Sequence, residues 1–169
     1  SDEKTADFLL KEWYSSHNEP LLVMKGMGGI GKTTVIKYFL DELYKTLNRQ
    51  NKLNILFINS HEIIDDIMKN SKIDNLFDFY RIIADKNDIQ DRFDKKLLEL
   101  SIDSGNMIIV LDGLDEVIAK MGTKFNISNF INSIFEDYTE NLEKTKIIIT
   151  CRDYFWEKNQ FQPIKTMSL

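Results

Sequence analysis

The stretch Gly26-Met27-Gly28-Gly29-Ile30-Gly31-Lys32-Thr33-Thr34 constrains this chain more than any other. Only seven glycines occur in 169 residues, and four of them fall between Gly26 and Gly31. Glycine reaches backbone conformations closed to other residues and lets another group approach the main chain closely. The spacing fits the pattern G-x-x-x-x-G-K-[ST], in which successive backbone N–H groups wrap a phosphate. The flanks fit too. Pro20–Lys25 (PLLVMK) is a short apolar run, bounded by proline and glycine, that reads as a buried strand. Lys32–Leu47 carries Val35, Ile36, Phe39, Leu40 and Leu43 at helical spacing. A helix that starts directly after the loop adds its unpaired N–H groups and the positive end of its dipole. Gly26, Gly28, Gly29, Ile30 and Gly31 are thus the expected cradle. Lys32 is expected to reach the β- and γ-phosphates, Thr33 to ligate Mg²⁺ through its hydroxyl, and Thr34 to sit near the α-phosphate.

The rest of the chain alternates in the same way. Strands are expected at Leu53–Ser60, Met107–Asp112, Lys146–Cys151 and Ile164–Leu169. Helices are expected at Thr5–His17 (Phe8, Leu9, Glu12 and Trp13 sharing a side), Glu62–Lys69, Leu76–Asp85, Ile89–Ile102 and Phe125–Leu142. The third strand is apolar throughout and the fourth reads as buried, as suits strands covered on both faces. Strands alternating with helices imply an α/β fold: a doubly wound parallel sheet of about five strands with helices on both faces. No internal repeat or low-complexity linker is visible. The chain stops at its last expected strand, which reads as a domain excised from something longer.

The third strand supplies the next part of a phosphate site. Asp112 ends it, at the carboxyl edge where ligands bind in such sheets, and is expected to hold Mg²⁺ directly or through water. Asp115 and Glu116 follow, and one of them is expected to orient or deprotonate an attacking water. Arg152 ends the fourth strand, where a guanidinium suits a phosphoryl oxygen. The plainer reading of Arg152 is a surface ion pair to an acid such as Asp153.

Together, GMGGIGKTT, IIVLDGLDEV and KIIITCRD resemble the NACHT group of signal-transducing P-loop NTPases, relatives of the NB-ARC switches within the broader class related to AAA+ proteins. Gly113 directly after the metal acid, with Asp115 and Glu116 beyond it, carries most of the match. AAA+ proteins usually have a glutamate at that position. The resemblance runs from about Pro20 to the chain end. It implies a P-loop NTPase fold with strand order 5-1-4-3-2, ATP as nucleotide with GTP as the alternative, Mg²⁺, slow hydrolysis, and nucleotide-controlled assembly. It also implies that Arg152 reads the γ-phosphate, with Thr150 sharing that position. On this reading residues 1–169 are the nucleotide-binding domain and residues 1–19 its flanking helix. Lid and winged-helix segments, sensor and effector domains would lie elsewhere in the full-length protein, and a nucleotide-dependent homo-oligomer is a further implied partner.

Composition narrows the alternatives. Hydrophobic residues make up 43% and charged residues 29% of the chain, enough to bury a core. The net charge of -5 does not indicate nucleic acid as a partner. No apolar run approaches the roughly 20 residues of a membrane span, and the acidic N-terminus is no signal peptide. The lone Cys151 excludes an internal disulfide and, with these absences, points to the cytoplasm; it reads as packing. No Cys/His spacing suggests zinc. His17 and His61 read as ordinary polar residues, with a role at the site's edge left open for His61 because it follows the second strand, and Asp85–Lys96 reads as a solvated charged run. Asp153–Phe161 reads either as packing or as a face for a neighbouring domain. Trp13 and Tyr14 are candidates to stack on a base. A small-molecule kinase is disfavoured because Arg49, Arg81, Arg92 and Arg152 form no cluster, and a GTPase because no N-K-x-D motif occurs. Two readings remain: a regulatory module of a larger signalling protein in immunity or defence, or an AAA+-like motor or DNA-associated ATPase. A nucleotide-binding scaffold without hydrolysis is a third.

Overall fold

A computed structural model describes residues 5–47, 53–69, 72–88, 94–138, 140–141, 143–154 and 165–169. In chain order the elements are α1 (Ala6–Tyr14), β1 (Leu21–Lys25), α2 (Lys32–Leu47), β2 (Asn54–Asn59), α3 (Ser60–Lys69), α4 (Leu76–Lys86) and α5 (Lys95–Asp103). There follow β3 (Met107–Asp112), α6 (Leu114–Met121), a 3₁₀ turn (Gly122–Lys124), α7 (Ile127–Tyr138), β4 (Lys146–Cys151) and β5 (Lys165–Ser168). The strands pair in parallel in the order β2-β3-β4-β1-β5. That is the order 5-1-4-3-2 read from the other edge, so the expected doubly wound α/β P-loop fold is the one observed.

The two-residue period of a strand explains why both faces are covered. Leu21 and Val23 of β1, Ile109 and Leu111 of β3, and Ile147, Ile149 and Cys151 of β4 pack against α3 to α7. Leu22 and Met24, Ile108 and Val110, and Ile148 point the other way, into a second core with Leu10 and Trp13 of α1 and Ile36, Phe39 and Leu40 of α2. Because every strand runs the same way, Lys25, Asn59, Asp112 and Cys151 all end at one edge of the sheet.

Several sequence expectations need correction. In α1 the buried residues are Leu10 and Trp13, whereas Phe8 is half exposed and Glu12 exposed, so the helix is rotated from the expected face. The sequence reading named no element after β3; the acidic segment there is the first turn of α6, whose Leu114, Val117 and Met121 are buried at helical spacing. Phe125 precedes α7 rather than opening it, and Leu142 lies outside the described residues. The described part of the Ile89–Ile102 helix begins at Lys95, capped by the Asp94 side chain accepting from the Leu97 N–H. Much of Asp85–Lys96 and of Asp153–Phe161 also falls outside the described residues.

At the amino edge of the sheet, Lys146 is 2% exposed. Its ammonium donates to the carbonyls of Trp13 (3.1 Å), Ser16 (2.8 Å) and Glu19 (3.3 Å), and to Ser16 Oγ (3.3 Å). It also lies 5.1 Å from the centre of the Trp13 ring. The last carbonyls of a helix lack intrahelical partners, so Lys146 caps α1 from the sheet. Burial pulls its pKa down to about 8, which leaves it cationic at neutral pH. This geometry overturns base stacking by Trp13. The indole is buried at the start of β4, a strand length from the glycine loop, and Tyr14 makes an edge contact to Phe39 instead. Lys146→Met, which keeps the length but removes the donors, is expected to destabilise the fold by about 1–3 kcal/mol in urea unfolding. A change under about 0.5 kcal/mol would show that α1 does not depend on this cap.

Candidate functional site

The site is built where the carboxyl ends of β1, β2, β3 and β4 meet. Asp112 ends β3 on the face that α2 covers, since it shares that face with Ile108 and Val110. Thr150 shares the same face in the neighbouring strand β4, one step beyond the Leu111–Ile149 pair. The two side chains therefore meet. Thr150 donates from Oγ1 to Asp112 Oδ1 (2.6 Å) and accepts the Gly113 N–H (2.8 Å). Thr33, at the start of α2, donates from Oγ1 to Asp112 Oδ2 (2.8 Å). Residues from the loop, β3 and β4 are thus joined through one carboxylate. Gly113 has φ +87°, a left-handed conformation that costs other residues roughly 1–2 kcal/mol. It turns the chain sharply from β3 into α6 and brings Asp115 and Glu116 back over the strand ends.

The loop has the shape its composition calls for. Gly29 and Gly31 take φ of +77° and +95°. Lys32 curls back, its ammonium donating to the carbonyls of Gly26 (2.7 Å) and Met27 (2.9 Å). Gly28, Gly29, Lys32, Thr33, Asn59, Asp112, Gly113, Asp115, Glu116, Thr150 and Arg152 line a shared cleft of about 170 Å³. Gly26, Ile30, Gly31 and Thr34 belong to the same loop and helix start but do not line that cleft, and Thr34 is exposed. A larger cavity of about 430 Å³ lies at the amino edge beside Lys146. It lacks the glycine loop and the acids, so the smaller cleft is where the chemistry is concentrated.

The acids have different partners. Asp115 is 8% exposed, and its Oδ2 lies 3.2 Å from Arg152 Nε. The ion pair of Arg152 is therefore with Asp115, not Asp153. Glu116 is 40% exposed in its side chain, and its Oε2 lies 3.3 Å from His61 Nδ1. Asn59 is the cleft residue the sequence reading missed, and His61 has the position at the site's edge that following the second strand left open to it. Asn59 ends β2, accepts the His61 N–H at Oδ1 (3.1 Å) and donates from Nδ2 to Glu62 (3.1 Å). Their only sequence signal was position, Asn59 at the end of β2 opposite Asp112 and His61 just beyond it. Cys151 is buried, and burial pushes its thiol up to about 12, so it packs rather than reacts.

These residues fit Mg²⁺ with a nucleoside triphosphate. Mg²⁺ takes one or two protein oxygens and fills the rest of its octahedron with water and phosphate. Thr33 Oγ1 and Asp112 Oδ2 are two hard oxygens already 2.8 Å apart. Lys32 and Arg152 supply two cations at the same cleft, and the loop supplies backbone that can follow a phosphate chain.

Comparison with known proteins agrees with this geometry. The family model described as "ATPase family associated with various cellular activities (AAA)" matches residues 22–159. No curated protein matches the chain significantly. Among solved structures, the chain is similar to Cdc6p from Pyrobaculum aerophilum, with TM-score 0.54 and 14% identity over 96% of this chain and 42% of that one. It is also similar to the Aeropyrum pernix ORC2 protein in ADPNP–ADP complexes, with TM-score 0.54 and 12% identity over 95% and 43%. The Drosophila ORC bound to DNA gives TM-score 0.55 and 12% identity over 96% and 40%. At these identities the likeness is one of fold, and the chain spans about two fifths of the length of these structures. Glycine loop, the acid that ends β3, sheet order and family model converge: the chain belongs to the AAA family of ATPases.

Proposed function

We propose that the chain is an Mg-ATP-binding and hydrolysing module of a longer protein, in which the bound nucleotide sets how the module assembles with its neighbours. The observation that carries this is the 2.8 Å meeting of Thr33 Oγ1 with Asp112 Oδ2, a metal site at the mouth of a phosphate loop. The glycine loop cradles the phosphates with backbone N–H groups. Lys32 leaves the Gly26 and Met27 carbonyls for phosphate oxygens. Thr33 and Asp112 hold Mg²⁺, with Thr150 fixing the carboxylate. Glu116 is the better placed of the two acids to take a proton from water at Oε2, since Asp115 is buried and held by Arg152. Bound Mg-ATP would supply the phosphoanhydride bond and the charge neutralisation that its cleavage needs. GTP is the alternative nucleotide.

The AAA family match supports an ATPase of that class. The Drosophila structure is named as bound to DNA, which makes DNA the first partner to try despite the net charge of -5. A second reading, the NACHT-type signalling switch of immunity or defence, is favoured by one feature: Gly113 stands where AAA+ proteins usually have a glutamate. The two readings separate on turnover. A DNA-associated ATPase is accelerated by duplex DNA, whereas a switch turns over slowly with or without it and changes assembly state between ATP and ADP.

Purified chain is expected to bind ATP and ADP in the presence of Mg²⁺, and Lys32→Ala to remove most of that affinity in calorimetry. No heat of binding for the wild type at millimolar nucleotide would defeat the proposal. Glu116→Gln is expected to slow single-turnover hydrolysis by about 10²–10⁴-fold while keeping nucleotide affinity. An unchanged rate would remove Glu116 from the role assigned to it.

A further inference from the structure

The arrangement around Arg152 is more specific than a surface ion pair. Its guanidinium lies flat over Gly28: Nη2, Cζ and Nε are 3.2, 3.3 and 3.4 Å from where a Cβ would sit at that position. A side chain there would meet the guanidinium at closer than ordinary contact, and the arginine would have to give by a few tenths of an ångström. On its other flank, Nε meets Asp115 Oδ2 at 3.2 Å. The pair is lopsided. The Asp115 side chain is 10% exposed and that of Arg152 is 58% exposed. A buried carboxylate needs a partner far more than a half-solvated guanidinium does. Asp115 is thus the anchor and Arg152 the movable arm. Lys32 is held in the same fashion, by two loop carbonyls. Both cations at the cleft are therefore engaged by the protein's own oxygens.

We infer that Asp115 is a positioning residue that holds Arg152 across Gly28 as an internal stand-in for a terminal phosphate, so that the module tells ATP from ADP by exchanging one anion for another. This rests on the Mg-ATP reading and deepens it. A γ-phosphate offers Arg152 more negative charge than one carboxylate, but drawing the arginine away leaves Asp115 unpaired beside the new anion. Asp115 therefore opposes the ATP-bound arrangement and leaves ADP, which lacks the terminal phosphate, nearly untouched.

The test compares affinities for Mg-ATPγS and Mg-ADP by calorimetry in the wild type, Asp115→Asn, Arg152→Ala and the double variant. Asp115→Asn is expected to raise the preference for ATPγS over ADP by about five- to tenfold, the scale of one partly exposed ion pair. In the Arg152→Ala background the same change should shift that preference clearly less, since only the direct repulsion between Asp115 and the terminal phosphate is then relieved. A shift under about twofold, or an equal shift without Arg152, overturns the inference. A second measurement needs no change at Asp115. The ¹⁵N resonance of Arg152 Nε, assigned with Arg152→Lys, should coincide in free and ADP-bound protein and move with ATPγS. Movement with ADP as large as with ATPγS, or none with either, overturns it as well. A wild type that binds neither nucleotide defeats the Mg-ATP reading itself. A wild type that binds both, with its preference unchanged in Asp115→Asn, defeats only the role given to Asp115.

Discussion

The carboxylate of Asp112 joins the parts of this site. It accepts from Thr33 on one oxygen and from Thr150 on the other, at 2.8 and 2.6 Å, while Thr150 in turn holds the Gly113 N–H. Three short hydrogen bonds thus tie the start of α2, the ends of β3 and β4, and the turn into α6. Without them the glycine loop would be a cradle with nothing fixed opposite it. With them, the Thr33–Asp112 oxygen pair, the glycine loop and two further acids share one cleft. The arrangement follows from sheet geometry. Asp112 and Thr150 are on adjacent parallel strands, on the face that α2 covers, so their side chains meet beside the helix that carries Thr33.

The same geometry explains why the cleft is rich in paired charges. Asp115 and Glu116 enter on the first turn of α6, where the helix dipole favours acids. Each then has a partner from elsewhere in the chain, Arg152 from just after β4 and His61 from the start of α3. Two carboxylates in adjacent positions therefore end in different surroundings of one cleft, Asp115 buried and pinned, Glu116 more exposed. That difference separates a residue that holds a cation from a residue that meets water.

Much of this was legible in the sequence, for local reasons. The glycine window, the lysine and two threonines after it, and the acid ending an apolar strand are all contiguous patterns. Strand order followed from the resemblance those patterns carried. What stayed hidden was long-range. The partner of Arg152 is Asp115 rather than the adjacent Asp153, because α6 folds back over the strand ends. Asn59 looked ordinary, since only the pairing of β2 with β3 brings it to the cleft, and His61 stays at the rim, touching Glu116. The helical nature of Leu114–Met121 was masked by its acidic start, although Leu114, Val117 and Met121 carry the helical period. Lys146 hid inside an apolar strand, and its role as a cap for α1 depends on the amino edge of the sheet.

The central claim is that Thr33 and Asp112 form the metal half of a nucleotide site. It is tested most directly by titrating ATP into the wild type and Asp112→Ala, each with and without Mg²⁺. The account predicts that Mg²⁺ tightens ATP binding to the wild type, and that this gain disappears in Asp112→Ala while metal-free affinity is largely kept. A wild type indifferent to Mg²⁺, or an equal gain in both proteins, would contradict it.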